Sequence, residues 1–185
     1  MSLQVSFFLV NYSINCIIDN FLCCFICSAQ SWAFFFLCYC FLTVNETFLK
    51  ACFVQSLLLT VTIDVNKQNT LLTWAVIELK SQRSWEYFLQ HLRRTILKIS
   101  SEKCTLMSNC DKKLLKAEEV LENQVIKAYC CHHLKKNFVM KFEHELTPLF
   151  WSAAYVRTSL AFEKAMSKIK NVKASAETYL RDIVS

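Results

Sequence analysis

The chain has 185 residues, enough for one domain with an appendage, and its 54% hydrophobic content can bury a sizeable core, which excludes a wholly disordered polypeptide. It has no glycine and a single proline, Pro148, where average usage gives about a dozen and about nine, so turns that need positive φ lack the residue that supplies it at least cost. Asp19 is the only charged residue before Glu46, and all 21 Lys and Arg lie at or beyond Lys50, facing the 15 acidic residues less Asp19. Such a basic excess suits a polyanion and equally a solvated surface.

Residues 1–33 form an apolar N-terminal segment with no clear period, expected to pack loosely. There is no basic region ahead of the apolar run and no small-residue cleavage site, so no signal peptide is read. Residues 20–45 carry no charge and are long enough to cross a bilayer, which leaves a membrane anchor open. Eleven cysteines, an odd number with several adjacent (Cys23, Cys24, Cys27, Cys38, Cys40), point to reduced thiols in an intracellular protein.

From Phe34 the run FFFLCYCFLTV predicts a buried strand that stops at Asn45, paired with a second strand over residues 53–63. A third strand over 70–77, after the turn DVNKQN, completes a meander. RSWEYFLQHLRRTILK then sets Trp85, Phe88, Leu89, Leu92 and Ile96 on one stripe of a helix. CTLM predicts a strand over 104–107, SNCDKK leads into a helix over 112–121, and VIKAY predicts another strand. Strand, helix, strand implies parallel pairing. Beyond His132 the pattern is helical, with Leu160, Phe162, Met166 and Ile169 at helix-like intervals and Pro148 breaking the run before FWSAAY. The fold class is α/β: a ribonuclease H-like core over residues 34–130, a three-stranded meander followed by alternating helices and parallel strands. Part of a helical insertion follows over 131–185.

Four segments in order carry a more specific signal: FLTVNETFLK; LLLTVTIDVNKQNTLLTWAVIE with SWEYFLQHLR; SNCDKKLLKAEEVL; and AYCCHHLKKNF with LFWSAAYVRTSLAFEKAM. Together, over about residues 41–182, they resemble the catalytic domain of Mutator-like (MULE) transposases. The resemblance implies DNA transposition, in the nucleus, by an Asp-Asp-Glu triad holding two Mg²⁺ or Mn²⁺ ions that activate a hydroxyl and steady the leaving oxygen. The position matching the first aspartate is Asn45 and that matching the second is Asn109. The family's glutamate lies beyond a helical insertion and the chain ends at Ser185 within or just after it, so no residue is nominated and a truncated copy is expected. Asp64 and Asp111 survive nearby and read as solvated turn carboxylates.

The departures share a direction. Family-like aspartates read Asn45 and Asn109, glycines read Glu46 and Lys113, and an arginine reads Cys110, all reachable by C-to-T changes on one DNA strand or the other. The same drift removes glycine and proline codons and enriches cysteine. A degenerate copy without catalysis, intact metal site or cofactor is therefore expected, with DNA as the ancestral partner and no small-molecule substrate. A residual DNA-binding or interaction protein and a small membrane protein anchored by residues 20–45 remain the alternatives.

Cys130 and His133 match the family's Cys-x-x-His and could supply half of a zinc site, with His144 and Cys104 as loose candidates for the rest; packing or substrate positioning is the other reading. A Cys-His nucleophile built from Cys130, Cys131, His132 and His133 lacks an orienting third group, and adjacent helical side chains do not face one another. Lys112, Lys113, Lys116, Lys135 and Lys136 follow the ends of two parallel strands and could meet phosphates, or else pair with Glu118, Glu119 and Glu122 on a solvated face. Trp151 could stack on an extruded base or pack in a core.

Overall fold

Along residues 54–64 every second side chain is buried, Ser56, Leu58, Thr60, Thr62 and Asp64, which is the period of a strand with one face on a core. The computed structural model describes residues 11–18, 21–50, 54–97 and 103–184, and the chain divides into two compact units, Met1–Tyr129 and Cys130–Ser185. The first unit is a mixed α/β domain. Its strands are β1 (Asn11–Ile18), β2 (Phe21–Cys27), β3 (Cys38–Lys50), β4 (Val54–Asp64), β5 (Asn69–Ile77), β6 (Cys104–Ser108) and β7 (Val125–Tyr129). They form one sheet in the order β1-β2-β5-β4-β3-β6-β7, with β3, β6 and β7 mutually parallel along it and every other pair antiparallel.

Helix α2 (Gln82–Thr95) follows the meander. Ser81 caps it by accepting the Ser84 N–H at 3.0 Å, and Arg93 and Arg94 sit in its last turn, where cations suit the carbonyl end. Its stripe of Trp85, Phe88, Leu89 and Leu92, with Ile96 beyond, is fully buried against Leu42, Val44, Leu58, Leu72, Ile77 and Leu106 of the sheet. Each such side chain contributes about 1.5–3 kcal/mol by leaving water. The helix expected over 112–121 divides into α3 (Lys112–Ala117) and a 3₁₀ turn, Glu118–Leu121.

The N-terminal expectations are corrected. The strand expected over 34–44 begins only at Cys38, because Ser28 accepts the Ser31 N–H at 2.9 Å and starts a short helix, α1 (Ala29–Phe35). It also runs through Asn45, since β4 keeps pairing with it as far as Lys50 opposite Val54. Nor do residues 21–33 pack loosely: β2 pairs with β5, Cys23, Phe25 and Cys27 are buried, and the Phe25 ring lies 5.6 Å from that of Phe88. A strand apolar on both faces shows no alternation, which hid it from the period argument. Residues 1–10 and 19–20 of that segment lie outside the described residues. Residues 21–50 form strand, helix and strand rather than one span, and no helix among the described residues is long and apolar enough to cross a membrane.

Thiols also depart from expectation at one pair. Cys40 and Cys104 form a disulfide with Cα atoms 4.5 Å apart, because the parallel register that sets Phe41 against Thr105 puts them opposite one another one residue earlier.

The second unit comprises α4 (Cys131–Phe142), α5 (Thr147–Ala154), α6 (Ser159–Val172) and α7 (Ala174–Val184). Phe138, Phe142, Phe150 and Tyr179 form its aromatic cluster, with ring centroids 5.3–6.4 Å apart. Of the α6 residues singled out by period, Met166 and Ile169 are buried, whereas Leu160 is 69% exposed at the first turn. Arg181 of α7 binds Glu163 of α6 through both carboxylate oxygens, at 3.2 and 2.6 Å.

Lacking glycine, the chain turns at Lys67, Cys110, Glu122 and Glu143 with positive φ. Glu143, at φ 74° and ψ 164°, closes α4 in a region nearly reserved for glycine, at a cost of about 1–3 kcal/mol. Glu143→Gly is expected to raise stability by about 1 kcal/mol after the entropy glycine restores to the unfolded chain, read as a higher urea midpoint with unchanged slope.

Candidate functional site

Strands β3 and β6 are parallel neighbours, with Phe41, Leu42 and Thr43 paired to Thr105, Leu106 and Met107. The pairing runs to Thr43 and Met107; two residues further along each chain lie Asn45, within β3, and Asn109, directly after β6 ends at Ser108. These are the two positions that the family resemblance assigns to aspartates, and the pairing joins segments 64 residues apart in the chain.

Each asparagine turns its carbonyl oxygen to the backbone. Asn45 Oδ1 accepts the N–H of Glu46 at 2.9 Å, and Asn109 Oδ1 accepts the N–H of Asp111 at 3.1 Å. An aspartate there would bring negative charge, whereas the amide brings a neutral oxygen already occupied by a local donor. Cys110, between Asn109 and Asp111, takes φ 59° to allow that turn.

The nearest carboxylates belong to the following residues. On β3 Asn45 is paired with Leu59 and Glu46 with Leu58, so the two point to opposite faces, and Glu46 shares the buried face of Leu42, Val44 and Leu58. Asp111 caps α3, its Oδ1 accepting the N–H groups of Lys113 at 2.8 Å and Leu114 at 3.4 Å. Lys80, between β5 and α2, bridges them: its Nζ is 2.6 Å from Glu46 Oε2 and 3.0 Å from Asp111 Oδ2. Burial alone would raise the Asp111 carboxyl, but Lys80 and the two capping N–H groups outweigh it and hold it below its ordinary range. For Lys80, burial opposes the charge and the two carboxylates prevail, so its ammonium holds its proton more tightly than usual.

The divalent ions implied by the resemblance do not fit these residues. At the two positions that the resemblance assigns to carboxylates stand neutral amides, each bonded to a backbone N–H, and the adjacent carboxylates already share an ammonium. Among the described residues no three His, Cys, Asp or Glu side chains converge in a way that could hold a metal. Asp64 is not a solvated turn carboxylate: it is 7% exposed, and its Oδ1 accepts the Gln68 N–H at 2.8 Å to close the β4–β5 hairpin.

The remaining candidates disperse. Lys112 and Lys116 project from α3 and are exposed, while Lys113 donates to the Lys80 carbonyl at 3.1 Å. Lys135 and Lys136 belong to α4 in the other unit and line a surface depression with His132, Met140 and His144. Cys130 stands at the N-cap of α4 without a side-chain capping bond, and His133 Nδ1 is buried with no hydrogen-bond partner among the described residues. Cys104, one loose zinc candidate, is fully buried in its disulfide with Cys40 and is withdrawn. Trp151 stacks on Tyr155 at 5.2 Å and 17° and meets the Phe150 ring edge-on, so it packs against its own unit.

Sequence reasoning missed Lys80, and no local signal could have found it, since its partners lie far away along the chain. It also took Glu118 for a solvated charge. Glu118 is 1% exposed, and neither carboxylate oxygen has a hydrogen-bond partner among the described residues. Desolvation raises its carboxyl above the ordinary value of 4.5 despite the opposing pull of Ser108 and of Lys127, whose Nζ is 3.8 Å away. A carboxyl raised in the folded state contributes its stability fully below the unfolded value and loses it as pH rises through the folded one. Glu118→Gln should therefore gain on the wild type as pH rises from mildly acid to neutral, as followed by urea melts; a difference independent of pH would refute the assignment.

Comparison with known proteins matches residues 41–137, more than half of the chain, to the family described as the MULE transposase domain. No curated protein matches. The match contains Asn45, Asn109, α3 and the Cys130–His133 pair, and ends before Trp151. By that span the chain belongs to the MULE transposase domain family.

Proposed function

We propose that the chain is a transposase-derived domain on a ribonuclease H-like core that no longer cleaves or joins DNA and has no use for a metal cofactor. The observation that carries this reading is that Asn45 within β3 and Asn109 directly after β6, the positions the resemblance assigns to carboxylates, are neutral amides whose carbonyl oxygens bond to backbone N–H groups. Phosphodiester attack in such a core needs carboxylates there, because each dication is held mainly by anionic oxygens. The sheet order β5-β4-β3-β6-β7, three antiparallel strands followed by two parallel ones, supports the ribonuclease H-like assignment. Supercoiled DNA incubated with the purified chain and Mg²⁺ or Mn²⁺ is expected to remain unnicked. Metal-dependent nicking that disappears in Asn45→Ala would overturn the reading.

A second property follows from the lysines of α3. Of the acidic residues expected to pair with them, Glu118 faces Lys127 and Glu122 faces Arg93, and among the described residues Lys112 and Lys116 make no ion pair. They leave two exposed charges beside the strand ends, suited to phosphate contacts in a domain whose ancestral partner is DNA and whose expected place is the nucleus. Weak, sequence-independent retention on DNA is expected, falling as salt rises. The double variant Lys112→Ala/Lys116→Ala should lower the salt slope by about two. An unchanged slope would place the contact elsewhere.

A further inference from the structure

We propose that the Lys80 ammonium is the resident cation of the β3–β6 strand ends, a tethered charge fixed between Glu46 and Asp111 that keeps divalent ions out, and that its removal opens a divalent-cation site built from those two carboxylates. The inference deepens the metal-free reading above and rests on its placement of the site.

Three segments far apart in sequence meet here: β3 supplies Glu46, the connection between β5 and α2 supplies Lys80, and the N-cap of α3 supplies Asp111. The Glu46 side chain is only 7% exposed, and its Oε1 is buried without a hydrogen-bond partner among the described residues. A carboxylate that deep requires a counter-charge, and its free oxygen shows that one ammonium does not use all its capacity. Asp111 contributes Oδ2, because Oδ1 is committed to the α3 N-terminus. Lys80 is also held from behind, its carbonyl accepting Lys113 Nζ at 3.1 Å, so the ammonium is placed by the fold.

Charge decides the occupant. With Lys80 in place, two carboxylates face one positive charge, and a dication entering beside the ammonium would meet repulsion at contact distance. Without the ammonium, Glu46 can offer both oxygens and Asp111 one, a hard-oxygen set of two negative charges that suits Mn²⁺ or Mg²⁺ with water completing the shell.

The test uses the full chain, without nucleic acid, and Mn²⁺ as the probe, so it is separable from the nicking assay. The resonance of free Mn²⁺ should be undiminished by the wild type. Lys80→Met, which keeps the apolar stem, should bind Mn²⁺ about tenfold tighter or more, and Lys80→Met/Glu46→Gln should lose the gain. A folded Lys80→Met that binds no better than the wild type overturns the proposal. Should that variant fail to fold, amine acetylation mapped by mass spectrometry on the wild type decides. Lys80 should react more slowly than Lys112 and Lys116, at a rate unaffected by Mn²⁺, and Glu46→Gln should accelerate it. Equal rates, or a rise on adding Mn²⁺, overturn it.

Discussion

Three residue pairs, Phe41 to Thr43 against Thr105 to Met107, hold β3 and β6 in parallel register, and everything described at the site depends on them. The pairing places Cys40 opposite Cys104 and leads the chain from β6 to the N-cap of α3, where Asp111 shares Lys80 with Glu46 of β3. Because side chains alternate between faces, a slip of one residue would turn Glu46 away from Lys80 and Leu42 out of the core. Two constraints secure the register: Leu42 and Leu106 are buried, and β4 fixes β3 from its other edge over most of its length.

Near that register two asparagines carry polarity without charge. Each bonds its carbonyl oxygen to a nearby backbone N–H, Asn45 within β3 and Asn109 in the turn after β6. The charge beside them lies on Glu46 and Asp111, which share the Lys80 ammonium. One ammonium is thereby shared by two carboxylates drawn from distant parts of the chain.

Much of the fold was legible. The meander, the α2 stripe and the strand-helix-strand with parallel pairing follow from apolar period and turn composition, and all appear in the structure. The N-terminal strands were not legible, because Phe21 to Cys27 is apolar at nearly every position and gives no alternation from which to read a face. The start of β3 was obscured for the same reason: α1 is set by the Ser28 cap, a polar signal inside an apolar run. At the site, motif order nominated Asn45 and Asn109 through the resemblance alone, whereas the Lys80 bridge could not be read, since an ion pair across 34 and 31 residues is fixed by topology alone.

A core and a charged site tolerate substitution differently for a physical reason. Interior positions ask for apolar volume, and exchanges among Leu, Ile, Phe, Val and Cys that roughly conserve it are tolerated at modest cost. A metal-binding position asks for charge at a fixed point, and an amide of nearly the same shape does not supply it. Turns fall between these cases: positive φ at Cys110, Glu122 and Glu143 costs energy without glycine, yet each turn still forms, because the elements on either side are held by burial of Leu106, Leu114, Leu121, Val125 and Phe142. If drift from C to T shaped the chain, it raised hydropathy while it removed glycine, proline and aspartate codons. Apolar volume, which holds the fold, and carboxylate charge, which holds dications, respond to such drift in opposite directions.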